Sequence, residues 1–295
     1  MRCVYLGAFV CLMAMGCSNE SVEQVIENQE VSDSALVKVR IENFAVTMEE
    51  EGGNVSRRAQ SVDSYGDLNA VTLAFYDAEN KEVFKQEQLK GSEGFGHFEF
   101  RLPMGKYKMV AVAYTTKSGS PFVLTSPTVA AYTGDHSYDT FVATKDIDAS
   151  HQREVNISAT LDRVVTKLQV VSTDGRTAGV QNIRMSFSGG SRKFDPTTGY
   201  ALDNQGLVNT VGISAGVNTA SASNSFFFLT ADEQVMDVTI ETLDAQGNVV
   251  MTHQVKDVPF KRNYVTKLQG AIYTTNMFGA FLVNTEWGED TVVDF

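Results

Sequence analysis

Glu154-Val155-Asn156-Ile157-Ser158-Ala159-Thr160-Leu161-Asp162-Arg163-Val164-Val165-Thr166-Lys167-Leu168-Gln169-Val170 is the stretch on which the fold turns. Apolar side chains recur at every second position, 155, 157, 159 and 161, the period of a strand with one buried face. At Asp162-Arg163 the rhythm slips by one, and the inward positions become 164, 166, 168 and 170. A strand cannot change its buried face without a bulge or a new sheet, because a one-residue shift moves every side chain to the other side. The slip predicts a junction, with one domain ending at Leu161 and a second starting at Asp162 almost without a linker.

Working back from the junction, strand patterns are frequent. Val37, Val39 and Ile41 alternate with Lys38, Arg40 and Glu42 from Ala35 onward. Val71–Tyr76 is a strand, and Lys81–Gln86 returns after a turn at Asp77-Ala78-Glu79-Asn80. Phe98, Phe100 and Leu102 alternate, Pro103-Met104-Gly105 turns, and Tyr107–Tyr114, apolar on nearly both faces, predicts a central strand. Phe122–Val129 and Tyr138–Thr144 are weaker candidates. Glu49–Ser61, with a charge run, two glycines and no apolar period, predicts an exposed loop. Its Arg57-Arg58 pair offers a target to a trypsin-like protease; two solvated arginines are the commoner meaning of such a pair.

Forward of the junction, candidate strands are Val164–Ser172, Asn182–Phe187, Tyr200–Leu202, Leu207–Ile213, Phe226–Thr230, Val235–Thr242, Asn248–Val255, Asn263–Tyr273 and Gly279–Val283. Many short strands separated by turn signals predict β-sandwiches, and the absence of a strict repeat argues against a propeller or solenoid. The fold expected is all-β, with domains at 35–161 and 162–295.

The N-terminus sets the compartment. Arg2 precedes an uncharged apolar run from Cys3 to Met15, too short to span a bilayer and suited to a secretory signal. It closes on Gly16-Cys17, where bacterial lipoproteins are cut and acylated, so 1–16 is expected to be a signal peptide and Cys17 the lipidated residue. The places three and two before the cysteine hold Ala14 and Met15, whereas such signals usually have Leu and then Ser or Ala; an ordinary secretory peptide is the alternative. A cysteine carrying more than one acyl chain is held lastingly on a membrane. Residues 17–34 then read as an acidic, solvated tether.

Composition excludes several classes. The three cysteines are Cys3, Cys11 and Cys17, so the exported chain has no disulfide framework and no thiolate metal site. The formal charge is −12, and loss of Arg2 leaves 23 basic against 36 acidic residues, which argues against a nucleic-acid partner. The four histidines His97, His136, His151 and His253 lack zinc-ligand spacing; His97 and His253 lie in strand patterns. Asp146 and Asp148 do not complete a calcium loop and read as solvated loop carboxylates. No nucleophile elbow, P-loop or dinucleotide fingerprint occurs, so no catalytic residue and no cofactor is expected. Trp287 is the only tryptophan, little support for a sugar platform.

With these features in hand, the sequence resembles the fimbrillins, lipoprotein-derived pilus subunits of the Bacteroidetes. The resemblance rests on the leader ending in Gly16-Cys17, and on the opening strand Val37–Ile41 with the loop Ser56-Arg57-Arg58-Ala59. It continues in Val71–Asp77 and Phe98–Tyr114 with the turn Leu102-Pro103-Met104-Gly105-Lys106-Tyr107, and in Leu161–Leu168. It ends in Arg262-Asn263-Tyr264-Val265-Thr266-Lys267-Leu268-Gln269-Gly270. Each piece is degenerate; their order across nearly the whole exported chain is more specific.

The resemblance implies two tandem transthyretin-like β-sandwiches, export to the outer membrane as a lipoprotein, and a role in adhesion. It also implies assembly with other fimbrial subunits by strand exchange. In polymerising members an Arg-specific protease removes the first strand with its lipid, and a strand from another subunit fills the groove. The matching positions here are the strand Val37–Phe44, cleavage at Arg57 or Arg58, and a donor segment 279–295 with Phe281, Val283, Val292, Val293 and Phe295 as anchors. An ordinary last strand with a frayed end explains that tail as well. The competing readings are a lipid-retaining fimbrial anchor and a surface glycan-binding lipoprotein, which needs exposed aromatics; a secreted hydrolase needs carboxylates converging in a cleft.

Overall fold

The computed structural model describes the backbone of residues 34–50, 54–61, 65–66, 68–274 and 282–284, and the side chains of 34–43, 65–66 and 68–274. Among these residues every regular element is a strand. The first is β1 (Ser34–Glu50), in which Ala35, Val37, Val39 and Ile41 are buried while Arg40 and Glu42 are exposed, as the alternation requires. Past a register shift between Ile41 and Asn43, β1 continues into a hairpin with β2 (Asn54–Ser61). This corrects the expected loop: Arg57 pairs with Thr47 and Arg58 with Val46 in an antiparallel ladder. An extended β1 offers a row of backbone donors and acceptors, and these capture a polar segment that has no strand period of its own.

The N-terminal half continues with β3 (Ala70–Tyr76), β4 (Glu82–Leu89), β5 (His97–Pro103), β6 (Lys106–Tyr114), β7 (Phe122–Ser126), β8 (Val129–Tyr132), β9 (Thr140–Asp148) and β10 (Glu154–Arg163). The strand order is β2-β1-β10-β9-β6-β3-β4, with β5 also pairing β1. β6 lies between β3 and β9 and is buried on both faces, as its apolar run predicts. β10 and β9 meet only through Asp162–Val142 and Arg163–Phe141. The sheet therefore folds over at that corner. The layer β4-β3-β6-β9 faces the layer β5-β1-β10 across a core that includes Leu73, Phe75, Met109, Phe98, Val39 and Ile157.

The C-terminal half contains β11 (Thr166–Ser172), β12 (Asn182–Phe187), β13 (Lys193–Phe194), β14 (Leu207–Gly212), β15 (Ala222–Phe227), β16 (Glu233–Leu243), β17 (Val249–Lys261), β18 (Val265–Gly270) and β19 (Leu282–Asn284). Sheets β15-β11-β18-β19 and β14-β12-β16-β17 enclose a second core of Leu168, Val170, Met185, Phe227, Ile240 and Leu268 among others. Both halves share one device. The first strand lies parallel to a strand late in its half, β1 to β10 and β11 to β18.

At the slip, Arg163, Val164, Val165 and Thr166 are buried in succession, and the 168, 170, 172 alternation follows. The chain crosses there from one core to the other through a third cluster. In it Phe194 stacks on Phe228 at 4.2 Å and packs near Phe122, Tyr132 and Tyr114. A small sheet, β13-β8-β7, draws strands from both halves. The described residues from Ala35 onward consequently form one compact unit. Three strand expectations fail, the first because Phe122–Val129 breaks at a turn into β7 and the start of β8. Tyr200–Leu202 contributes a single bridge, Ala201 to Phe194, and the strand expected at Phe226–Thr230 runs instead from Ala222 to Phe227. That strand buries Ser223 and Ser225, which hydropathy does not mark as inward.

Candidate functional site

The first strand is an interior strand. Leu36 donates its N–H to Arg153 O on the β10 side, and Ile41 donates to Gly96 O at the start of β5, so β1 uses both its edges. Its register with β10 runs parallel from Leu36–Glu154 to Ala45–Asp162. Its inward row, Ala35, Val37, Val39 and Ile41, packs with Phe98, Leu102, Val155, Ile157 and Ala159. Burying such a row contributes roughly 1.5–3 kcal/mol per fully covered Val or Ile. On the outer face Lys38 Nζ donates to Glu154 Oε1 at 2.9 Å in an exposed ion pair. That hydrogen bond raises the Lys38 pKa and holds Glu154 below the usual carboxylate range.

Taking β1 away would open a slot between β5 and β10 lined by apolar side chains and by two rows of backbone donors and acceptors. The strand that fills it runs directly into the hairpin bearing Arg57 and Arg58. Of the donor-segment residues named from sequence, Val283 lies in β19, whose backbone pairs antiparallel with β18 through Leu268. Phe281, Val292, Val293 and Phe295 lie outside the described residues, as do Gly16 and Cys17. The chain leaves β18 through a clasp in which Ile272 N and Tyr273 N donate to the Asp174 carboxylate, each at 2.9 Å.

The remaining sequence candidates have structural settings. Asp146 accepts from Lys108 Nζ at 2.6 Å, and Asp148 lies 3.6 Å from Lys106, so both are strand residues of β9 paired across to β6 rather than loop carboxylates. The Asp148 carboxyl is held low chiefly by the Ser150 N–H. His97 and His151 are exposed, and the His253 ring sits 3.2 Å from Ile272 O. His136 is half-buried where the halves meet; desolvation, with Arg192 nearby, lowers its pKa. Among the described residues no group of three His, Cys, Asp or Glu side chains is placed to hold a metal ion. Nor is any Phe or Tyr side chain among them exposed.

Sequence reading missed the buried ion pair at the corner. Arg163 Nε donates to Asp139 Oδ1 at 2.8 Å and Nη2 donates to Oδ2 at 2.9 Å. The guanidinium also contacts the Tyr65 hydroxyl and Asn263 Oδ1, and lies 4.6 Å from the centre of the Phe141 ring. Asp139 lies 24 residues before Arg163 and Asn263 lies 100 after it, so no local pattern announces the set.

The model of a family of unknown function, DUF6562, matches residues 35–293. No curated protein matches the chain. Among solved structures, the chain is similar to a candidate adhesin from Bacteroides ovatus ATCC 8483, with 14% identity over 83% of this chain and 88% of that one and a TM-score of 0.50. A second candidate adhesin from Bacteroides ovatus has 11% identity over 87% and 96% of the two chains, with a TM-score of 0.48. The fimbrial anchor protein Mfa2 from Porphyromonas gingivalis has 11% identity over 80% and 90%, with a TM-score of 0.46. The first of these likenesses bears on the fold, and it is the all-β fold expected from the sequence.

Proposed function

Since the chain belongs to the family of unknown function DUF6562, its role must be read from its own strands, and we propose that it is a subunit of a cell-surface fimbria serving adhesion. In this reading it is exported as a lipoprotein cut before Cys17 and held on the outer membrane by lipid there. The tether 17–34 leads to two tandem transthyretin-like sandwiches, 35–161 and 162–295, which share the corner at Arg163. A protease cutting at Arg57 or Arg58 releases the first strand, and the segment 279–295 of another subunit fills the slot. No enzymatic step is involved.

One observation carries the reading: β1 is an interior strand that supplies a whole apolar row of its core, yet is the first strand among the described residues. Once the chain is cut in β2, such a strand can be withdrawn without breaking a connection elsewhere. The slot it leaves is a site for β-strand addition, where main-chain bonds give affinity and alternate side chains give fit. The fold shared with a candidate adhesin is consistent with it. The absence of exposed aromatics among the described residues weighs against the glycan-binding lipoprotein.

A second reading is favoured by a specific observation. Arg57 and Arg58 sit in a paired ladder with Thr47 and Val46, and proteases act on backbone that is free to leave its partners. A hairpin that stays shut would keep β1 and the lipid in place, which is the anchor role.

The test is trace trypsin on the exported chain carrying Cys17→Ser, followed by intact mass and a native gel. A single cut at Arg57 or Arg58 followed by a ladder of oligomers is the expected result. A cut that leaves stable monomers overturns strand exchange, and resistance at both arginines transfers the chain to the anchor reading.

A further inference from the structure

From Glu154 to Leu161, β10 has β1 on one side and, among the described residues, no strand on the other; β9 reaches it only at Asp162 and Arg163. The parallel ladder fixes which groups face the open side. Leu36 N donates to Arg153 O, so the odd-numbered residues of β10 turn their backbone groups toward β1. Glu154, Asn156, Ser158 and Thr160 turn theirs outward. The side chains of these four are exposed, while those of Val155, Ile157, Ala159 and Leu161 are in the core.

Free edges are normally blunted by charges, proline or bulges, and several other edges of this protein are. β4 carries Glu82, Lys85 and Glu87. β17 has a register shift near Asp257, which sits at a φ of 54°, and Pro259 follows. The free part of β9 carries Lys145, Asp146 and Asp148. From Val155 to Leu161, β10 has no charge, glycine, proline or bulge beyond the step opposite Asn43. In the C-terminal half the corresponding edge is filled, since β18, parallel to β11 as β10 is to β1, carries the antiparallel β19 on its outer side.

We propose that the β10 edge pairs antiparallel with the β10 edge of a second copy of this chain, about a two-fold axis beside Ile157. The product is a continuous sheet in the order β5-β1-β10-β10-β1-β5. Self-pairing suits this edge because Asn156 faces Ser158, and its one charged residue, Glu154, faces the neutral Thr160 rather than another charge. Charge disfavours the neighbouring register. Moving the axis to Ser158 would set Glu154 against Asp162 of the second copy, and like charges directly opposite disfavour a pair. Glu154 meanwhile keeps its own cation, Lys38. Such an isologous contact closes at two copies. It needs no cut and no donor segment, so it stands or falls independently of strand exchange, which propagates.

The experiment uses the full-length chain with Cys3, Cys11 and Cys17 replaced by Ser. Sedimentation should show a monomer–dimer equilibrium, and Ser158→Pro should raise its dissociation constant by about tenfold or more. Proline is tolerated where the N–H points away from the sheet, so circular dichroism should be unchanged; if Ser158→Pro fails to fold, Ser158→Lys replaces it. Mixed N156C and S158C chains should form a disulfide with each other faster than either does with itself, because that register brings these two residues opposite each other. A parent chain that stays monomeric overturns the proposal. So does a dimer that is indifferent to both Ser158 substitutions and shows no preference for the mixed disulfide.

Discussion

Replacing Asp139 by Leu should be among the most destabilising single changes in this protein. Arg163 is fully buried and the Asp139 side chain is 5% exposed. The substitution removes both short bonds to the guanidinium and leaves a buried cation without the Asp139 carboxylate, with the Tyr65 hydroxyl and Asn263 Oδ1 still in contact. Breaking one side of a buried pair costs about 3–5 kcal/mol. For a unit of this size that corresponds to a fall in melting temperature of about 6–20 °C. Removing both partners is different, since replacing a buried pair by apolar groups of similar volume is often neutral or stabilising. Arg163→Met combined with Asp139→Leu should therefore recover most of the loss. Thermal and urea unfolding of the parent, the two single variants and the double variant close the cycle. A loss below about 1 kcal/mol for Asp139→Leu, or a double variant no better than the worse single one, would show that the pair is not the electrostatic lock of the corner.

Two further outcomes follow from the seam between the halves. A Cβ placed on Gly134 would lie 1.9 Å from Gly119 O, which is backbone and cannot step aside; Gly134→Ala should cost about 1–3 kcal/mol or more in urea unfolding, and a neutral result would mean the two loops are not in that contact. His136 has a folded pKa below its ordinary value of 6.5, from desolvation first and then Arg192, with Lys117 adding to and Asp135 opposing the effect. The unfolded chain then binds the extra proton more readily, so stability should decline as pH falls from about 6.5 toward the folded value, and His136→Gln should flatten that part of the pH–stability curve; an unchanged curve refutes the assignment.

Much of the strand framework was legible because one buried face writes a period of two into the sequence. Ala35–Ile41, the stretch from Glu154 across the slip, and Asn182–Phe187 all carried that period, and the last matches β12 at both ends. What escaped notice was held by partners distant in sequence. β2 is polar and aperiodic, and is a strand because β1 runs on long enough to pair with it. β13 has two residues, and exists because Lys193 and Phe194 meet Ala131 and Ala130 of the other half. Arg163 marked only the slip in the alternation, since nothing near it in sequence discloses Asp139 as its counter-ion. As for the candidate site, alternation marked β1 as half-buried, but that it has neighbours on both sides is a property of the sheet and no single strand encodes it.

The parallel pairing of β1 with β10 also has a consequence in time. Lys38 and Glu154, neighbours across that ladder, are 116 residues apart in sequence. A chain delivered from its N-terminus presents β1 long before β10 exists, and the Leu36–Ile41 part of β1 must wait for β10 while the β1–β2 hairpin and the other local hairpins form. Contacts of such high sequence separation form slowly, because loop closure has to be achieved before the pairing can reward it. The first strand to appear is thus expected to be among the last to dock. Folding variants could be sorted on this basis: substitutions along the inward row of β1 should speed unfolding far more than they slow folding, the kinetic mark of a late-docking strand.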